Sequence, residues 1–102
     1  MIADPQTAAL ENRMTDINAQ FTQAQADVKE LSERPGNLTL LRLYALYKQA
    51  SVGDVQGDKP GFADIAGKYK YDAWGALAGT PQDTAKQQYI GLVESLKSGA
   101  SA

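Results

Sequence analysis

The feature that most constrains this chain is an apolar stripe in its first third. Apolar residues recur there at alternating steps of four and three, which keeps them within an arc of roughly 100° on a helix. Neither glycine nor proline occurs between Gln6 and Arg34. We therefore predict one amphipathic helix of about seven turns, which begins at Asp4-Pro5 and is broken near Arg34-Pro35. The stripe consists of Leu10, Met14, Ile17, Phe21, Ala24, Val28 and Leu31.

The second predicted helix, capped by Asn37, carries more apolar surface than one packing face needs. Its apolar side chains cover an arc of roughly 220°, whereas a surface helix buries a stripe a little over 100° wide. The surplus lies toward Leu40, Leu41 and Tyr44, beside Lys48. A central helix covered on both sides would explain the same periodicity. The lysine favours an open edge, because lysine is rarely buried without a partner.

Two further helices follow a long connection. The connection, from Val52 to Ala66, contains three glycines and a proline, and loops of this length are usually functional or mobile. A third helix is predicted from Asp64 or Gly67 to Ala78. The fourth begins at Thr80-Pro81, with threonine as the cap and proline in the first helical position. No stretch shows strand alternation, so we predict an all-α four-helix bundle.

The composition excludes several kinds of protein. Histidine and cysteine are absent, which excludes a histidine-based triad and imidazole or thiolate metal sites. The net charge of −2 gives a nucleic-acid partner no overall attraction. Asp54, Asp58 and Asp64 do not fit the spacing of a calcium loop. We therefore expect no catalytic residues, no metal, no cofactor and no nucleic acid.

The hydropathy pattern bears on location. No apolar run is long enough to span a membrane, and the first 20 residues lack the apolar segment of a signal peptide. We therefore predict a cytoplasmic protein without stable membrane insertion.

Lysines and tyrosines carry the remaining chemistry. Lys48, Lys68 and Lys70 converge if the second and third helices meet. Ammonium groups pair with phosphate, and tyrosine rings offer a stacking face for a base. With Leu40 and Leu41 one turn away, the set indicates an amphiphilic nucleotide conjugate as ligand. A solvated lysine face over a tyrosine-bearing core explains most of the same residues, so both interpretations stay open at this point.

The segment from Tyr44 to Asp54 carries a family signature. Its sequence, Tyr-Ala-Leu-Tyr-Lys-Gln-Ala-Ser-Val-Gly-Asp, closely resembles Tyr-x-x-Tyr-Lys-Gln-Ala-(Ser/Thr)-x-Gly-Asp of the acyl-CoA-binding protein family. The similarity extends without a gap over residues 20 to 98. Further matches include Lys59-Pro60-Gly61, Lys70, Asp72-Ala73-Trp74, Gly79-Thr80 and Tyr89-Ile90.

The resemblance implies a fold, a ligand and a set of contacts. The fold is an antiparallel up-down-down-up four-helix bundle, and the ligands are medium- and long-chain fatty acyl-CoA esters. Lys48 is expected at the ribose 3′-phosphate, Tyr44 and Tyr47 near the adenine, and Lys70 beside the phosphates. By the same resemblance, the CoA head group contacts Tyr44, Tyr47, Lys48, Lys70, Tyr89 and Lys29, and the acyl chain contacts Leu40 and Leu41.

Three positions depart from the family pattern. Tyr71 stands where tryptophan is common, Arg42 where an apolar residue is common, and Ala66 where lysine is frequent. These departures bear on affinity and on chain-length preference, since tyrosine covers less area than tryptophan and alanine removes a charge near the phosphates.

The resemblance also divides the chain. Residues 18–98 form the expected acyl-CoA-binding domain, and residues 99–102 are expected to fray. Residues 1–17 form an N-terminal extension, which the apolar stripe predicts to continue the first helix. The alternative is a loose N-terminal segment with a helix that begins near Asn18. We expect a monomer, with a dimer through Leu10 and Met14 of the extension as the alternative.

The predicted function is an intracellular, non-enzymatic carrier and pool former for fatty acyl-CoA. One alternative is a helical partner-binding module that uses the extended first helix and binds no ligand. Another is an accessory domain of an enzyme that acts on acyl-CoA.

Overall fold

The computed structural model describes residues 16–99. This range contains four α-helices and no strand, so the prediction of an all-α four-helix fold is confirmed. The predicted extension of the first helix over residues 1–15 lies outside the described residues. In chain order the helices are α1 (Ile17–Lys29), α2 (Asn37–Ser51), α3 (Ile65–Gly75) and α4 (Gln82–Lys97).

Helix α1 is bounded by backbone hydrogen bonding at both ends. Asp16 is its N-cap, and the Asp16 carboxylate accepts a hydrogen bond from the amide of Ala19 at 3.0 Å. The predicted break near Arg34-Pro35 is wrong by about one turn, because α1 ends at Lys29. A proline restricts only the residue before it, so it sets the latest point at which a helix can end.

Two predicted caps are wrong by one residue. The N-cap of α2 is Gly36, whose carbonyl accepts the first helical hydrogen bond from Leu40 at 2.9 Å, and Asn37 is the first helical residue. The N-cap of α4 is Pro81 rather than Thr80. The amide of Thr80 instead donates to the carbonyl of Leu77 at 2.9 Å, which ties Thr80 to the turn after α3. Backbone contacts therefore decide both starts.

Helix α3 begins with a side-chain cap at Asp64, one of the two predicted starts. The Asp64 side chain accepts a hydrogen bond from the amide of Gly67 at 3.0 Å. The helix ends at Gly75, before the predicted Ala78, and the chain continues in turns to Gly79. Gly79 has a φ of +88°, which glycine adopts without a steric penalty.

The helix directions follow from contacts between their ends. Lys86 near the start of α4 donates to Asn18 near the start of α1, and Lys97 at the end of α4 contacts Asp27 near the end of α1. Helices α1 and α4 are therefore parallel.

Helix α2 runs the opposite way. Its last turn contacts Thr80, just before α4, through Gln49, so α2 is antiparallel to α4. Helix α3 runs parallel to α2, because residues 44 and 48 of α2 contact residues 70 and 74 of α3 in that order. The bundle is therefore up-down-down-up, as the resemblance implied.

The core lies where α1 and α2 both pack against α4. Phe21 of α1 meets the ring of Tyr89 edge to face, with ring centroids 5.1 Å apart. Leu46 and Val93 are fully buried between α2 and α4. The buried cluster comprises Phe21, Ala24, Leu43, Leu46, Ala50, Ala85, Tyr89 and Val93.

Candidate functional site

One carboxylate oxygen joins three parts of the chain at the end of α2. Oδ1 of Asp54 accepts hydrogen bonds from Nε2 of Gln49 at 2.9 Å and from the backbone amide of Gly79 at 2.9 Å. Nε2 of Gln49 also donates to the carbonyl of Thr80 at 2.8 Å. The hydrogen bond from Gln49, followed by that from Gly79, lowers the pKa of Asp54. These bonds hold α2 to the turn between α3 and α4.

The connection between α2 and α3 is anchored to α3 at two points. Nε1 of the buried Trp74 donates to the carbonyl of Gly53 at 2.7 Å. The hydroxyl of Tyr71 donates to the carbonyl of Gly57 at 3.0 Å. Both acceptors are glycines with positive φ, +96° and +87°, a conformation that other residues rarely adopt. The first part of this long loop is therefore held against the bundle.

Two lysines lie over aromatic rings where α2 meets α3. Nζ of Lys48 is 5.0 Å from the ring centroid of Trp74, and Nζ of Lys70 is 5.5 Å from that of Tyr44. Both distances are within the range of cation–π attraction. Lys48 is half-buried and Lys70 is exposed. The structure therefore brings together three residues that the sequence predicted as one site, namely Tyr44, Lys48 and Lys70.

The two ammonium groups are available to an anion. Within residues 16–99, the lysines paired with carboxylates are Lys59, Lys86 and Lys97, and neither Lys48 nor Lys70 forms such a pair. The two cation–π pairs lie one helical turn apart, because their α2 members and their α3 members are each four residues apart. A ligand with several phosphates could therefore contact both lysines without displacing a carboxylate.

Tyr47 and Tyr89 belong to a second group of rings. Phe21 stacks on Tyr47 with ring centroids 6.1 Å apart and also contacts Tyr89. Tyr89 is buried, whereas Tyr47 is 40% exposed. Burial, followed by the proximity of Tyr47, raises the pKa of Tyr89. The neutral hydroxyl of Tyr89 is therefore a hydrogen-bond donor across the physiological pH range.

The other predicted binding residues lie farther along the helices. Leu40 and Leu41 are half-buried in the first half of α2, and Leu40 packs against the core. Lys29 is exposed at the last residue of α1. Lys68 is half-buried on α3. Their contacts with a ligand stay predictions.

Sequence reasoning missed the supports of this site. It did not pair Asp54 with Gln49, and it did not link Trp74 to Lys48. Their partners lie between 5 and 31 residues away along the chain, beyond the reach of helical periodicity. The available signal was that Gln49, Gly53 and Asp54 all lie in the signature segment.

A separate cavity of about 840 Å³ lies at the other end of α2. The α1–α2 connection, Thr39 of α2 and Leu96 of α4 contribute to its wall. Its charged lining is mixed, with the acids Asp27, Glu30 and Glu33 beside the bases Arg34 and Lys97. None of the predicted binding residues contributes to this wall, so we do not assign it to the predicted ligand.

Neither a metal-binding cluster nor a membrane-spanning helix occurs within residues 16–99. No group of three or more acidic side chains is arranged to hold a metal ion in this range. No helix within it has the length and apolar character needed to cross a bilayer.

Comparisons with known proteins agree on one family. Residues 18–93 match the family model described as acyl CoA binding protein. The acyl-CoA-binding protein homolog of Drosophila melanogaster is 46% identical over 80 residues, which span 78% of this chain and 93% of that protein. Enoyl-CoA delta isomerase 2 of Rattus norvegicus is 50% identical over 82 residues, but these span 80% of this chain and only 21% of that enzyme. The crystal structure of Oryza sativa acyl-CoA-binding protein 2 superposes with a TM-score of 0.80 at 36% identity, and the match covers 87% of this chain and 97% of that one.

Proposed function

Because the chain belongs to the acyl-CoA-binding protein family, we propose that it binds medium- and long-chain fatty acyl-CoA esters and acts as their carrier and pool former. One observation carries this proposal. Lys48 and Lys70 lie over aromatic rings on parallel helices, without a carboxylate partner in the described part of the chain. Such ammonium groups suit the phosphates of CoA.

In this proposal Lys48 binds the ribose 3′-phosphate and Lys70 lies beside the other phosphates of the head group. Tyr44 and Tyr47 lie near the adenine, as the family resemblance implies; Tyr44 is one turn from Lys48 on α2, whereas Tyr47 lies beside the ring of Phe21. Tyr89 donates its hydroxyl from the edge of the core. Lys29 contacts the head group only if the ligand reaches the end of α1, which makes it the least supported member of the set.

The acyl chain is proposed to lie along Leu40 and Leu41. Both side chains are half-buried, so a bound chain would complete their burial at roughly 0.8 kcal/mol per CH₂ removed from water. Affinity should therefore rise with chain length until the groove is full. The departures at Arg42, Ala66 and Tyr71 affect how strongly each ester binds. Arg42 and Ala66 are exposed, and the hydroxyl of Tyr71 bonds to Gly57.

The proposal also concerns catalysis by the domain itself. The sequence lacks histidine and cysteine, so we propose a binding protein without catalytic activity of its own. The isomerase activity of the rat relative is not transferred, since the match spans about a fifth of that enzyme. A cytoplasmic location and a monomeric state remain our predictions. The alternative of a ligand-free partner-binding module is not favoured by the family relationship.

The experiment that tests the proposal is calorimetric titration with palmitoyl-CoA, octanoyl-CoA and free CoA, each ester below its micelle concentration. We expect one-to-one binding that is tightest for palmitoyl-CoA. Lys48→Ala should weaken it by on the order of 1.5–3 kcal/mol, the value of a charge-assisted hydrogen bond, or roughly tenfold to 150-fold in Kd.

The matched control is Lys86→Ala, which removes the same charge from α4, where Lys86 contacts Asn18 and Asp83. An equal loss of affinity for palmitoyl-CoA in the two variants would refute the assigned role of Lys48. Absence of binding by all three ligands would refute the function.

A further inference from the structure

Trp74 and Lys48 are connected by two separate routes. The first is direct, because Nζ of Lys48 lies 5.0 Å from the centroid of the Trp74 ring. The second passes through the loop after α2. Nε1 of Trp74 donates to the carbonyl of Gly53 at 2.7 Å, and the amide of Gly53 is shared between the carbonyls of Lys48 at 3.3 Å and Gln49 at 3.1 Å. Trp74, Gly53 and Lys48 therefore form a closed ring of contacts, which includes both the backbone and the ammonium group of the lysine.

The indole is the rigid member of this ring of contacts. Trp74 is 7% exposed, and a side chain packed in an interior cannot move far without displacing its neighbours. Lys48 is half-buried, and its ammonium group stands on a flexible four-carbon stem. The fixed indole therefore limits where the ammonium group can lie.

The contact with the indole restrains the ammonium group without neutralising its charge. An aromatic face attracts a cation through its quadrupole, whereas a carboxylate would take up the N–H donors and offset the charge. The ammonium group has three donors, and Lys48 forms no pair with a carboxylate among residues 16–99. A phosphate can therefore accept hydrogen bonds from Lys48 while the ammonium group stays over the ring.

We infer that Trp74 is a positioning residue for Lys48, whose ammonium group the indole holds in place for a phosphate of the ligand. This inference rests on the proposed function, in which Lys48 binds a phosphate of CoA. Ordering a free lysine side chain during binding costs conformational entropy and lowers affinity. The indole restricts Lys48 before the ligand arrives, so less entropy is lost on binding and the affinity for acyl-CoA is higher.

The test is a double-mutant cycle, measured by calorimetric titration with palmitoyl-CoA below its micelle concentration. Trp74→Leu removes the aromatic face and should weaken binding about fivefold, which corresponds to about 1 kcal/mol. Lys48→Met keeps an apolar stem and removes the charge, and in this background Trp74→Leu should change the affinity by less than about twofold. Lys70→Met is the matched control background, because it removes the other lysine charge and leaves Lys48 over Trp74. In that background Trp74→Leu should again weaken binding about fivefold.

The cycle distinguishes positioning from support of the fold. If Trp74→Leu weakens binding equally in all three backgrounds, the indole only supports the fold and the inference is refuted. Should Trp74→Leu unfold in far-UV circular dichroism, Trp74→Phe repeats the cycle. Phenylalanine offers a weaker face to a cation, so its loss should be smaller and should also depend on Lys48. A wild type that binds no palmitoyl-CoA refutes the proposed function and this inference together, whereas binding without this dependence on Lys48 refutes this inference alone.

Nuclear magnetic resonance tests the contact itself. Protons over the face of an aromatic ring resonate upfield because of the ring current. The ε-methylene protons of Lys48 should therefore be shifted upfield in the free wild type, and Trp74→Leu should abolish this shift. The shift should persist when palmitoyl-CoA is added. A shift that is absent from the free protein, or that disappears when the ligand binds, would refute positioning by the indole.

Discussion

Gln49→Glu tests the link between α2 and the rest of the site. Gln49 is 1% exposed, and its Nε2 donates to both Asp54 and Thr80. Both partners are acceptors, which fixes the orientation of the amide. Oε1 is buried without a hydrogen-bond partner among the described residues. The substitution preserves the shape of the side chain but replaces the double donor with a second acceptor.

The expected loss of stability depends on pH. At about pH 4 the introduced carboxyl is protonated and can donate to only one of the two acceptors, which costs about 1–3 kcal/mol. Burial beside Asp54 raises the folded-state pKa of this carboxyl above the value of about 4.3 in the unfolded chain. The folded state then binds more protons, so stability falls as pH rises. By pH 7 the additional cost reaches up to about 3.7 kcal/mol, which is comparable with the whole stability of a small domain.

The assay is urea unfolding followed by far-UV circular dichroism, with variant and wild type compared at the same pH. Gln88→Glu is the matched control, because Gln88 is exposed on α4, and its effect should stay within about 0.5 kcal/mol at both pH values. A Gln49→Glu protein as stable as this control at pH 7 would refute the buried double-donor role. A loss that is equal at both pH values would refute the predicted desolvation.

Three further predictions concern the backbone, the indole and the carboxylate. Gly67→Ala should lower the free energy of unfolding by about 0.5–2 kcal/mol, because a Cβ there meets the Asp64 carboxylate that caps α3. Gly91→Ala, in open space on α4, should instead raise it by about 0.5–1 kcal/mol. Urea midpoints in the opposite order would contradict both expectations. Trp74→Phe should lower the free energy of unfolding by about 1–2 kcal/mol, because it removes the indole hydrogen bond and weakens the contact with Lys48. Tyr69→Phe, on the exposed face of the same helix, should be nearly neutral in the same unfolding assay. The folded-state pKa of Asp54 is lowered, so the stability that Asp54 contributes is present above its unfolded pKa of about 3.9 and is lost as pH falls below that value. Asp54→Asn should therefore reduce the loss of stability between neutral and acidic pH. An unchanged loss of stability at acidic pH would count against this contribution of Asp54.

Helical periodicity predicted the fold well because α1 and α4 each turn one continuous face to the core. The stripe that contains Phe21 and Val28 on α1, and the one that contains Tyr89 and Val93 on α4, both form or contact the core. The helix ends were less predictable. Thr80 has the side chain of a good cap, but its carbonyl and amide bond to other parts of the chain. Such contacts join distant positions and have no local signature.

The sequence predicted which residues belong to the candidate site better than it predicted how they are arranged. The four-residue spacing of Tyr44 and Lys48 placed them on one side of α2, and the meeting of α2 with α3 brought Lys70 to them. That Lys48 lies over Trp74 could not be predicted from either helix alone, because it depends on their register. Tyr89 was predicted as a ligand contact. Its burial is observed, and its ligand contact remains a proposal.

The parallel pairing of α1 and α4 has a consequence for longer polypeptides that contain such a domain. Because α1 and α4 run in the same direction, the chain enters at one end of the bundle and leaves at the other, about 24 Å away along a 16-residue helix. A segment fused before α1 would emerge beside Lys48 and Trp74, whereas one fused after α4 would emerge at the end that carries Leu38 and Ile65. The order of domains in a fusion would therefore decide which end of the bundle an attached enzyme faces, and so whether it lies nearer the proposed nucleotide site or the proposed acyl-chain site.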